Sequence, residues 1–114
     1  LTIGGTTAGD GNTFSRPSGA GVAIKISGGS GAVVQGNRIG TTVAGATVPG
    51  SRSGIAIQSS ADSAQIGGTA AGAGNYIARV STGISILNGS GSRVEGNIVG
   101  PNAADAVQVG IDLD

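Results

Sequence analysis

Asp112 and Asp114 stand two apart in the segment GIDLD. On an extended strand they share one face, about 6.6 Å apart along the chain. Two carboxylates divide the work of glycoside hydrolysis across roughly 5 to 9.5 Å, so this pair has a usable spacing. It lacks company. The repeat described below puts Lys25, Ala56, Ser85 and Asp112 in one outward column, with Lys25 about 14 Å from Asp112 on coils stacked 4.8 Å apart. The expectation is a pair of solvated carboxylates and no catalytic residue.

Other chemistries fail on residue type. The chain contains no His and no Cys, which excludes Ser-His-Asp and Cys-His nucleophiles and metal sites built on those ligands. Its glycine-rich stretches hold neither G-x-G-x-x-G nor G-x-x-x-x-G-K-[ST], and the single lysine, Lys25, lies in the strand-like segment AIKI. A phosphate loop is therefore not expected. Calcium coils repeat G-G-x-G-x-D; here IGGTTAGDGN carries Asp10, and its near copy IGGTAAGAGN carries Ala73 instead. No metal and no cofactor are expected.

Six basic and six acidic side chains, scattered singly, give a net charge of zero. No basic stripe exists to neutralise a phosphate backbone, so nucleic acid is not an expected partner. Nothing approaches the roughly 18 consecutive apolar residues of a membrane span, so no membrane insertion is expected. With one Phe, one Tyr, no Trp or Met and 24 Gly among 114 residues, an interior must be built from Ile, Val, Ala and Leu.

The elements that position these residues come from repetition. IGGTTAGDGN (3–12) returns as IGGTAAGAGN (66–75), and AIKISGGSGAVVQGNRIG (23–40) aligns with GISILNGSGSRVEGNIVG (83–100). Beneath this, AIKI, GIAI, GISI and GIDL place their first Ile at 24, 55, 84 and 111, steps of 31, 29 and 27 residues. Apolar residues alternate with Lys25, Ala56, Ser85 and Asp112, which is the period of a strand. Glycine at roughly 1 kcal/mol per interior position argues against helix. The chain is expected to form one all-β module over residues 1–114, a right-handed parallel β-helix of about four coils of 27–31 residues. Each coil holds three short strands.

Four inward columns follow: Ile24, Ile55, Ile84 and Ile111; Ile26, Ile57, Ile86 and Leu113; Ile3, Val34, Ile66 and Val94; Phe14, Ile39, Ile77 and Val99. Asn12, Asn37, Asn75 and Asn97 fall at one corner and are expected to form a structural asparagine ladder. The repeated decapeptide is then a surface loop inserted before that corner in every second coil, while the other coils place extra length in residues 41–54 and 101–110. The residue after each ladder Asn is Thr13, Arg38, Tyr76 or Ile98. Arg38 and Tyr76 become neighbours on the outer face, where a cation over a ring suits a sugar and equally suits a plain cross-strand contact.

GNRIGTTVAG (36–45), IGGTAAGAGNYI (66–77), GISI (83–86) and GNIVG (96–100) resemble the right-handed parallel β-helix repeats of large bacterial surface and secreted proteins. The likeness runs over almost the whole chain and departs from the pattern at Pro101 and at Arg16-Pro17. It implies a non-catalytic structural or adhesive role in a bacterial cell-surface or extracellular assembly. The alternative it leaves open is a carbohydrate-active β-helix, lyase-like or hydrolase-like, or its sugar-binding portion. Leu1, Ile3 and Phe14 at one end and Ile111 and Leu113 at the other are expected to meet in head-to-tail self-association, in a fragment or stacking subunit of a longer array. A surface polysaccharide is the other partner to consider.

Overall fold

The computed structural model describes residues 1–7, 9–14, 22–40, 53–58, 61–80, 82–87, 90–100 and 109–113. Alternating Ile and small residues between glycine corners cannot close a helix, so the chain turns after every few extended residues. Coil 1 contains β1 (Thr2–Gly4), β2 (Thr13–Phe14) and β3 (Val22–Ser27). Coil 2 contains β4 (Val33–Gln35), β5 (Arg38–Ile39) and β6 (Ser53–Gln58). Coil 3 contains β7 (Gln65–Gly67), β8 (Tyr76–Ile77) and β9 (Thr82–Ile86), and coil 4 contains β10 (Arg93–Glu95), β11 (Ile98–Val99) and β12 (Val109–Leu113).

Like strands stack on like. The three four-stranded sheets run β1-β4-β7-β10, β2-β5-β8-β11 and β3-β6-β9-β12, all parallel. This is a right-handed parallel β-helix, the hand that right-twisted strands favour in parallel crossovers. The register matches the inward columns residue for residue: Ile24 with Ile55, Ile55 with Ile84 and Ile84 with Ile111; Ile3 with Val34, Val34 with Ile66 and Ile66 with Val94. Phe14, Ile39, Ile77 and Val99 also pair in sequence, and Leu113 pairs with Ile86.

The interior is a stack of aliphatic rungs. Ile55, Ile57, Ile66, Ile77, Ile84 and Val34 are fully buried, each worth about 1.5 to 3 kcal/mol. Their column mates in the outer coils, Ile3, Phe14, Val94 and Val99, are only partly buried, because each has a neighbour on one side alone. Ala32 and Ala64 extend the core one position before β4 and β7. One outward residue departs from the expected exposed face. Ala56, in register between Lys25 and Ser85, is 2% exposed, its methyl lying between two longer side chains.

Candidate functional site

The corner between the first and second sheets gathers the ladder asparagines, the repeated loop and Arg38. It turns on glycines before the ladder residue: Gly36 and Gly96 have φ of 68° and 66°, a region that side-chain-bearing residues rarely occupy. The asparagines then bond in one direction along the stack. Oδ1 of Asn37 accepts from the backbone N–H and Nδ2 of Asn12 (3.0 and 3.1 Å). Oδ1 of Asn97 accepts from the same two groups of Asn75, both at 2.9 Å. The remaining amide proton reaches back one coil, from Asn37 to the carbonyl of Ile3, from Asn75 to Val34 and from Asn97 to Ile66. Asn37 and Asn75 are the two buried polar side chains in the described core, and a buried amide demands such saturation. The ladder is structural, as its spacing implies.

The decapeptide loops occupy the same corner in coils 1 and 3, and they do more than cover it. Coil 2 has the short passage, and its Gly36 N–H donates to the carbonyl of Ala73 in the second loop. Ala73 is fully buried. A Cβ on Gly36 would strike the carbonyl of Gly5 in the first loop, and a Cβ on Gly72 in the second loop would strike the carbonyl of Thr6. Two loops from alternate coils therefore close over the recessed corner between them and touch. The sequence reading of a plain surface insertion falls short here, because sequence spacing does not show that loops two coils apart can meet.

Between these loops lies a recess of about 260 Å³, lined by the first loop, Gly36, Gly72, Thr13 and Arg38. Arg38 and Tyr76 are direct register partners on β5 and β8. The guanidinium carbon stands 5.6 Å from the ring centroid, within the range of cation–π attraction. The expected juxtaposition is present, with Arg38 exposed and Tyr76 half-buried.

Of the two acidic candidates, one falls within the described residues. Asp112 lies on β12, in the same column as Lys25 on β3 at the opposite edge of the sheet. Asp114, Arg16, Pro17, Pro101 and the extra lengths at 41–52 and 101–108 lie outside the described residues. Arg93 pairs with Glu95 at 2.9 Å on an exposed face, an ion pair of little consequence for stability.

A second corner ladder was not foreseen. Asp62 bridges to Ser30, and its Oδ1 accepts from both the N–H (2.9 Å) and the hydroxyl (3.0 Å) of Ser90. The repeat of residues 23–40 in 83–100 sets Ser30 against Ser90, but Asp62 belongs to neither copy and differs in type, so the repeat does not mark the middle member. Scans against protein-family models, curated proteins and solved structures find no match to this chain.

Proposed function

We propose that this chain is a non-catalytic structural or adhesive β-solenoid module of a bacterial cell-surface or extracellular assembly, stacking head to tail into a filament or longer array. Open strand edges and apolar exposure on the end coils carry the stacking, and one glycine is compatible with it. Gly54 and Gly83 are the second residues of the third strand of their coils, and a Cβ at either would lie 2.6 Å from the carbonyl oxygen of Gly83 or Gly110 in the next coil. Gly110 holds the same position in coil 4. It has no positive φ that would call for glycine, and a Cβ there would meet nothing within 4 Å. Glycine here leaves room for another coil on β12, although coil 1 carries Ala23 at the same position beside β6. The residue that register would bring there from a second copy is Ala23, the counterpart of Gly54 and Gly83.

Apolar exposure on the end coils supports the same reading. Among the described residues the large exposed hydrophobic ones are Ile98 and Ile111 in coil 4, at 51% and 49%, and Leu1 beside coil 1, at 76%. Strands β10 to β12 and β1 to β3 present open backbone edges among the described residues, and such edges recruit further strands. The contact is heterologous, so repetition yields an open filament. The assignment to a bacterial surface rests on the repeat resemblance.

Analytical ultracentrifugation over a wide concentration range, with electron microscopy, tests the proposal. Association that grows with concentration, and fibres with a meridional repeat near 4.8 Å, are the expected result. A single monomeric species throughout the range would refute it.

A further inference from the structure

The recess between the two loops has a chemistry of its own, beyond the stacking module. Its wall combines the hydroxyl-bearing residues Thr6, Thr7 and Thr13, the amide residue Asn12, the backbone of Gly72 and one cation, Arg38. Among the described lining residues there is no carboxylate, and that of Asp10, between the lining residues Gly9 and Gly11, is turned against Gly5. Arg38, a lining residue, has no ion pair among the described residues, and its guanidinium carbon stands 5.6 Å from the Tyr76 ring centroid. A positioned guanidinium binds a carboxylate through two parallel N–H donors and loses little freedom in doing so.

The geometry points to a binding site for a sugar acid, a hexuronate unit with its carboxylate on Arg38 and its hydroxyls among the threonines. Three features select that class. One cation with no ion pair among the described residues matches one negative charge. Hydroxyls that both donate and accept match a ligand rich in hydroxyls. A recess of about 260 Å³ lies just below the usual range for small-molecule pockets, a size for one sugar ring and larger than an inorganic anion needs. The alternation of loops creates the recess, and the residue after the ladder Asn sets its charge. In coil 4 that residue is the exposed Ile98, so the corresponding corner there offers no cation.

Titration of the ¹⁵N-labelled protein with sodium glucuronate tests the site, with glucose, sodium acetate and inorganic phosphate as separate arms. Saturable shifts confined to the amides of Thr6, Thr7, Thr13, Gly36 and Gly72 are expected with glucuronate, and clearly weaker ones with glucose or acetate. Arg38→Gln should weaken glucuronate binding by about tenfold or more through the lost charge-assisted hydrogen bonds. Arg38→Lys, which keeps the charge and loses the fork, should fall between. Arg93→Gln should bind as the parent does, and unchanged melting of each variant shows that the fold is retained. No saturable shift with glucuronate, shifts located elsewhere, equal binding by Arg38→Gln, or tighter binding of phosphate would each overturn the assignment.

Discussion

Asn37 donates twice to one atom of Asn75: its backbone N–H lies 2.9 Å and its Nδ2 3.1 Å from Asn75 Oδ1. The same Asn75 donates onward to Asn97 and back to Val34, so a single side chain ties together coils 2, 3 and 4. Because every asparagine-to-asparagine bond runs the same way, each amide polarises the next.

Removing Asn75 should therefore cost more than removing an end member. Asn75→Ala leaves two donors of the buried Asn37 without their acceptor, and about 2 to 4 kcal/mol of stability should be lost. Asn12→Ala removes a donor from an exposed position and should cost about 1 kcal/mol or less. Urea denaturation of the two variants measures the difference; equal midpoints would show that the ladder shares its load evenly along the stack.

The loop contact makes a second comparison possible. Gly72 and Gly9 occupy equivalent positions in the two decapeptides, with φ of 81° and 94°. Alanine is strained at both, by about 1 to 3 kcal/mol. At Gly72 the added methyl also meets the Thr6 carbonyl, whereas at Gly9 it meets nothing within 4 Å. Gly72→Ala should therefore be less stable than Gly9→Ala by about 1 kcal/mol or more. Thermal melts of the pair would expose loops that do not touch, because the two variants would then coincide.

Inward and outward positions of one strand should separate cleanly. Ile84 is fully buried between Ile55 and Ile111, and its neighbour Ser85 faces outward and is half-buried. Ile84→Ala should cost about 2 to 5 kcal/mol as a core cavity, while Ser85→Ala should stay within about 0.5 kcal/mol of the parent. A large loss at Ser85, measured by denaturant unfolding, would mean that the outer face of this sheet is itself packed.

The register was legible because each strand carries its own marks. The first Ile of every two-Ile signature and the Asn of every corner recur, so both register and ladder can be read by counting. Arg38 beside Tyr76 follows from the same count, one residue beyond Asn37 and Asn75. What was not legible depends on distance through space between unlike residues. The Asp62 to Ser90 bonds join two residue types, and Asp62 lies in a coil outside the repeat that pairs Ser30 with Ser90. The closure of Ala73 over Gly36 joins a loop to a coil that lacks one, and counting along the chain does not reveal how far a loop leans. The recess at Arg38 follows from that lean, so it emerges only with the fold.

Gly83 and Gly110 separate contacts made within one chain from contacts made between chains. A methyl at Gly83 would lie 2.6 Å from the Gly110 carbonyl oxygen and 2.6 Å from Val99 Cγ1, so Gly83→Ala must push β12 away from β9 and should destabilise the module by about 1 to 3 kcal/mol. A methyl at Gly110 meets open space, and alanine suits an extended strand at least as well as glycine does, so the lone module should melt within about 0.5 kcal/mol of the parent. In a stack, however, that methyl would press on the carbonyl of the coil laid on β12, as the Gly83 methyl does inside the chain. Gly110→Ala should therefore weaken association while leaving unfolding unchanged. Sedimentation at concentrations where the parent associates, run beside a melting curve, tests both halves. Association by Gly110→Ala equal to that of the parent would place the contact somewhere other than on β12.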